Sequence, residues 1–185
     1  AILAAVCVYT IGHSTRSTAQ LIDLLHAEKI DLVIDVRRFP RSRRHPQFDI
    51  ERLPATLAGN GIGYQHVEAL GGRRRRSLTD DVSPNTSWEA EGFRNYADYA
   101  MTAPFREALD TLIGLAQSRT AAIMCAEALW WQCHRRIISD YLLIAGIDVI
   151  HFLGDHETKP AELTSGAAPQ ANGTIHYPPL QPKLL

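Results

Sequence analysis

At 185 residues, with 45% hydrophobic and 21% charged content, the chain has the size and composition of one globular domain with a substantial core. A net charge of −1 excludes a general electrostatic pull toward nucleic acid or membrane, and no apolar run approaches the roughly 20 residues that cross a bilayer. Three cysteines make no disulfide framework, so a reducing, cytoplasmic location is expected.

The opening AILAAVCV lacks a basic start and a cleavage site and runs straight into TIGHS. It therefore reads as the entry to a buried first strand, Val6 to Ile11, that carries an inert Cys7. His13 and Ser14 fall in the exit loop. The hydroxyls of Thr15 to Thr18 offer helix caps, and Leu21, Ile22, Leu24 and Leu25 give the following helix its apolar face to about Glu28. Leu32 to Val36 is apolar enough for a strand buried on both faces, and the strand–helix–strand order predicts a right-handed parallel crossover. Asp35 lies near the end of that strand, with Arg37 and Arg38 just beyond it. Pro40 and Pro46 keep the next loop open and non-helical, and Phe48 pins it to the body. A short helix is expected over Ile50 to Ala58, then a third strand over Tyr64 to Val67. His66 sits in that strand, where a structural role and a catalytic one are equally open.

From Ala69 to Ser87 the chain has no periodic pattern, and this length suits a binding loop or lid better than a simple connection. Gly71 and Gly72 permit unusual backbone angles and close approach to a ligand. Arg73 to Arg76 follow, and Asp80 and Asp81 offer partners for part of that charge. Two helices are predicted next, Phe93 to Met101 and Pro104 to about Gln117. Asp148 to Leu153, with His151, is a last strand. The Pro-rich remainder reads as an irregular arm with a little β structure. The alternation predicts a single three-layer α/β domain, with a mostly parallel sheet of about five strands and helices on both faces.

The densest chemistry lies in TAAIMCAEALWWQCHRRIISD, residues 120 to 140. Ala121 to Met124 reads as a strand. Ile137, Ile138, Tyr141 and Leu142 repeat at helical spacing, with Gly146 as the stop. Between strand and helix lie Cys125, Glu127, Cys133, His134 and Arg135. Ligands of open α/β sheets bind beyond the carboxyl ends of strands, which is where Cys125 and Glu127 are expected. Cys133 to Arg135 are expected on the first helical turn, where free N–H groups and the dipole favour a thiolate or a bound anion.

The segment CAEALWWQCHRRIISDYL resembles the signature of the domain of unknown function 488 family. TIGHSTRS, DVRRFPRSRRHPQF, LGGRR and the late LTSGA and YPP are similar to the same family, in the same order along almost the whole chain. The resemblance implies a compact α/β domain of bacteria and archaea, and no particular reaction.

The residues themselves suggest a cysteine-dependent enzyme acting on an anionic, phosphate-bearing substrate, either a nucleotide or nucleic acid. Cys125, Glu127, Cys133, His134 and Arg135 form the candidate catalytic set. His13, Ser14, Arg16, Asp35, Arg37, Arg38, Arg43, Gly71, Gly72 and Arg73 form the candidate anion-binding set. Arginine suits this task because its planar fork matches phosphate oxygens. Two alternatives stand beside it. One is a non-catalytic module that tracks phosphates with arginines and stacks bases on Tyr64, Trp88, Trp130 and Trp131. The other is rhodanese-like sulfur transfer. It is suggested by the DVR strand end, a Cys loop and a helix carrying arginine, but the interval from Cys125 to Arg135 is longer than the rhodanese loop and lacks its glycines. No metal or other cofactor is expected. Cys125, Cys133, His134, Glu127 and His13 are capable ligands. Their spacing is not the close pair of a structural zinc site, and adjacent Cys133 and His134 would point apart on a helix.

Overall fold

The computed structural model describes residues 5–76, 82–154 and 156–180. Six strands form the main sheet: β1 (Cys7–Gly12), β2 (Leu32–Asp35), β3 (Gly63–His66), β4 (Ala121–Cys125), β5 (Asp148–Phe152) and β6 (Thr158–Pro160). Their spatial order is β3-β2-β4-β1-β5-β6. The first five are parallel, and β6 adds an antiparallel edge on β5. The sheet thus has one strand more than expected, taken from the C-terminal arm. That arm also forms a two-stranded ribbon, β7 (Ala168–Pro169) with β8 (Ile175–His176).

Five helices cover the sheet: α1 (Thr18–Ala27), α2 (Leu53–Ala58), α3 (Glu91–Ala100), α4 (Ala103–Ser118) and α5 (Arg135–Ile144). Ser17 caps α1 in a reciprocal box with Gln20, satisfying two backbone donors at once. Alternation along the strands sorts the core into two layers. Val33, Ala122 and Met124 pack with α1 and α2, whereas Ile34, Ile123 and Cys125 pack with α3, α4 and α5. Both faces are therefore buried, which is why β4 is apolar throughout and β2 is apolar up to its last residue, the paired Asp35.

Two short segments differ from expectation. Pro46 to Phe48 is a single 3-10 turn rather than open loop, because Pro46 occupies a first-turn position where its missing N–H costs nothing. Cys7 is half-buried rather than buried, since β1 begins at the edge of the core. The arm is clamped to α5 by buried polar contacts. Tyr177 donates its hydroxyl hydrogen bond to Asp140 at 2.8 Å, the Thr164 N–H donates to the same carboxylate at 2.8 Å, and the Ile175 N–H donates to Tyr141 at 3.1 Å. The pairing expected for Asp80 and Asp81 lies outside the described residues.

The strand order positions the site. After β1 the chain crosses β4 to reach β2, with α1 on one face. After β4 it crosses β1 to reach β5, with α5 on the other face. The two exits part at the β1/β4 boundary and leave a crevice beyond the carboxyl ends.

Candidate functional site

A cleft of about 990 Å³ opens at that boundary. Its floor begins where the β1 and β4 ladder runs on past the strands: His13 N–H donates to the Cys125 carbonyl at 2.9 Å and Ser14 N–H to that of Ala126 at 3.0 Å. Gly12 makes this close passage feasible, because a Cβ there would lie 1.8 Å from the Glu127 carbonyl oxygen.

Beyond β4 the chain makes one 3-10 turn, Trp130–Gln132, and returns to start α5. Cys133 is extended, with φ −131° and ψ 149°, and His134 is the residue that precedes the first helical turn. The expectation that Cys133 and His134 share that turn and point apart is therefore corrected. Because Cys133 precedes the helix, both side chains face Cys125. His134 Nδ1 is 3.5 Å from the Cys133 sulfur and 3.9 Å from the Cys125 sulfur. The other ring nitrogen donates to the Val36 carbonyl at 2.8 Å, which fixes the ring, and Tyr96 packs edge-on against it at 5.1 Å. Gly72 leaves room for the imidazole, since a Cβ there would sit 2.9 Å from Nδ1.

Arg135 is fully buried and turned away from the cleft. Its Nε donates to the Cys133 sulfur at 3.4 Å, Nη1 to Thr10 Oγ1 at 3.4 Å and Nη2 to the Glu127 carbonyl at 2.5 Å. The Arg135 backbone N–H also points at the Cys133 sulfur, at 3.5 Å. Burial pushes the Cys133 thiol up, but the hydrogen bond from Cys125, then the charge and hydrogen bond of His134, then Arg135 outweigh it and hold the thiol well below the usual range. Cys125 moves the other way: its hydrogen bond to Cys133 raises it most, with burial and the Cys133 charge adding to the effect. The two thiols are thus pushed in opposite directions and share their titration as a pair.

The arginines divide into buried struts and exposed walls. Arg37 forms a buried pair with Asp35 at 2.6 Å, donates to the Phe48 carbonyl at 2.7 Å and reaches His13 Nε2 at 3.3 Å. Asp35 also accepts from Tyr64 at 2.7 Å. Asp35 is thus a buried support rather than part of the cleft lining. His13 stacks on Phe48 with ring centres 4.3 Å apart, and its Nδ1 donates to the Ser14 carbonyl at 3.0 Å. Burial pushes His13 down to about 4, with the nearby Arg37 charge acting in the same direction against the Ser14 hydrogen bond, so the ring is neutral near pH 7. His66 donates to the Arg37 carbonyl at 2.7 Å, the structural one of its two roles.

Arg38 lines the cleft but donates to the Arg73 carbonyl at 2.8 Å. Arg74 is used locally, stacked over Tyr99 at 4.0 Å. Arg41 pairs with Glu51 at 2.9 Å. Arg44 and Arg73 are different: both are exposed, both line the cleft, and among the described residues neither guanidinium has an ion-pair partner. Arg73 holds its place through a left-handed backbone, φ +55°, at the turn after Gly72.

His13, Ser14, Arg37, Arg38, Gly72 and Arg73 thus meet Cys125, Glu127, Cys133 and His134 around one cleft. Arg16, Asp35, Arg43, Gly71 and Arg135 do not line it. Arg16 instead donates to the Gly12 carbonyl. Gly71 lies against the Arg38 backbone, with a Cβ-to-Cα distance of 2.6 Å, so both glycines allow close packing within the protein, and Gly72 also lines the cleft. Glu127 bonds mainly through its backbone, and its carboxylate is exposed at the rim. Sequence reasoning left Arg44, His45 and Tyr96 out of the site. The RSRRH run carried the signal for the first two. Tyr96 read only as part of an apolar helix face.

Residues 17–142 match the family described as domain of unknown function DUF488. The chain belongs to this family. No curated protein and no solved structure matches it. The DUF488 match includes Cys125, Cys133, His134 and both arginine segments, and so takes in the cleft apart from its His13–Thr15 edge.

Proposed function

We propose that this DUF488 protein is a cysteine-dependent enzyme acting on an anionic, phosphate-bearing substrate. The observation that carries this reading is the convergence of Cys125, Cys133 and His134, all with ligand atoms within 4.8 Å of one another, at the floor of a cleft walled by Arg44 and Arg73. A thiolate is the reactive form of cysteine, whether it attacks a substrate or holds a metal. Buried donors around Cys133 favour that form. The Arg44 and Arg73 guanidinium groups, without an ion pair among the described residues, supply charge-assisted hydrogen bonds for phosphate oxygens. Neutral His13 and the exposed Glu127 carboxylate stand at the same cleft as proton carriers. A nucleotide is the favoured class within this reading, since Phe39, 61% exposed, and Phe93 offer apolar faces beside the arginines.

The test is ligand protection in chelator-treated, reduced protein. Pyrophosphate and a panel of nucleotides are titrated while iodoacetamide labelling of each cysteine is followed by peptide mass spectrometry. A bound ligand is expected to slow labelling of Cys125 and Cys133 at least severalfold and to leave Cys7, at the far end of β1, unchanged. Saturable binding with no protection of either cysteine would separate the anion site from the thiols and defeat the proposal.

A further inference from the structure

We propose that Cys125, Cys133 and His134 are the three protein ligands of a zinc ion whose fourth coordination position opens into the cleft. This deepens the reading above and rests on it: the cysteines serve the chemistry by holding a metal rather than by attacking the substrate.

The geometry is specific. Zinc–sulfur bonds of about 2.3 Å and zinc–nitrogen bonds of about 2.0 Å at tetrahedral angles place a nitrogen about 3.5 Å from each sulfur and the sulfurs about 3.8 Å from each other. The His134 Nδ1 distances of 3.5 and 3.9 Å to the two sulfurs match that frame, and all three donor atoms lie within 4.8 Å of one another. One imidazole nitrogen aimed between two sulfurs is the placement that a shared tetrahedral ion requires.

The surroundings match as well. A metal-binding histidine commonly donates its second nitrogen to a carbonyl, which sets the ring and leaves the first nitrogen's lone pair free. His134 does this with Val36 at 2.8 Å. Thiolate ligands accept hydrogen bonds from outside the metal shell, and the Arg135 Nε and backbone N–H reach the Cys133 sulfur at 3.4 and 3.5 Å. Two thiolates and one neutral imidazole balance a divalent charge, so the buried cluster would be neutral when filled. The soft donor set selects zinc over magnesium or calcium, which require oxygen ligands.

Only three ligands converge among the described residues, and all three also line the cleft. Structural zinc sites close with a fourth protein ligand, whereas catalytic ones keep that position for water or substrate. Here it faces the same space as Arg44, Arg73 and the Glu127 carboxylate. An oxygen of a bound phosphate group, or a water, is the fitting fourth ligand.

The decisive measurement uses the full chain, purified with reductant and without chelator. Elemental analysis is expected to find one zinc per chain, falling to none in Cys133→Ser and in His134→Ala and unchanged in Cys7→Ser. Circular dichroism checks that each variant folds. Should those variants fail to fold, cobalt decides on the wild type: Co2+ added to chelator-treated protein is expected to give strong tetrahedral d–d bands and a thiolate-to-cobalt charge-transfer band. Folded wild type that retains no zinc and gives no such bands overturns the proposal. So does zinc that persists in Cys133→Ser, because the ion then sits elsewhere. Since ligand protection is read on metal-free protein, loss of this inference leaves that result standing, and the converse also holds.

Discussion

At the floor of the cleft and just behind it, Cys133, His134 and Arg135 are each held by two or more contacts to buried groups, while on its wall Arg44 and Arg73 are exposed and have no ion pair among the described residues. The contrast is sharpest between two arginines of neighbouring segments. Arg37 spends its guanidinium on Asp35, Phe48 and His13, whereas Arg44, seven positions on, has no ion pair among the described residues. Identical side chains thus serve opposite purposes, and burial decides which. A buried guanidinium must be paired, so it becomes structural. An exposed one keeps its hydrogen-bonding capacity for a ligand. Changes at the floor should therefore be read out in stability, and changes on the wall in binding.

The largest effect is expected from Asp35→Asn. It removes the counter-charge of a buried guanidinium but keeps the shape, and breaking such a pair from one side costs about 3–5 kcal/mol. Urea denaturation would register this as a lower midpoint with an unchanged slope. A loss below about 1 kcal/mol would show that Arg37 relaxes into the cleft, and the line between strut and wall would have to be redrawn.

A second test of the floor is pH. His151 is buried beneath the site, its Nδ1 2.7 Å from Thr10 Oγ1 and its ring stacked on Trp130 at 4.1 Å. Burial pushes it down to about 3, and the charges of Arg135 and Lys159 add to the effect. The unfolded chain protonates this ring near its ordinary value of about 6.5, and the fold refuses that proton. The stability it contributes is complete above that value and is lost as pH falls toward 3. His13 acts the same way down to about 4. Denaturation midpoints between about pH 6 and 4 should fall in the wild type. In His151→Gln the slope should be shallower by up to about 1.4 kcal/mol per pH unit, the contribution of one proton. Equal slopes would mean that His151 already takes up its proton in the folded state.

Much of this contrast was legible in the sequence, and its limits have physical causes. The parallel core could be read because strands buried on both faces are almost wholly apolar, as AAIMC is and as LVIDV is apart from Asp35. The sixth strand could not: Thr158–Pro160 is exposed and includes proline, and it pairs only because it is an antiparallel edge. The reactive stretch was evident from composition, but its geometry depended on where α5 begins. Moving that start from Cys133 to Arg135 turns two diverging side chains into two that converge, and helix ends are where sequence signals are weakest. For the arginines, the sequence supplied positive charge in two segments. Which guanidinium groups were already occupied depended on Asp35, the Phe48 carbonyl and Glu51, partners set by tertiary structure.

The smallest stability change, and the cleanest test of the wall, is the double variant Arg44→Ala/Arg73→Ala. Both side chains are exposed, so unfolding should shift by no more than about 0.5 kcal/mol for each. Arg73 requires a further check, because its left-handed backbone already carries some strain that alanine would share. Arg73→Gly relieves that strain and removes the same charge, so it separates the two effects. Binding should respond in the other direction. Each lost guanidinium removes a salt-sensitive contact, and a partly screened pair is worth about 1 kcal/mol, or roughly fivefold in affinity. Pyrophosphate affinity measured by calorimetry should therefore fall at least tenfold in the double variant, and its dependence on salt should flatten as two charges leave the site. Affinity that stays unchanged, with stability unchanged as well, would make these arginines ordinary solvated surface and move the anion site to Arg38 or to the floor itself.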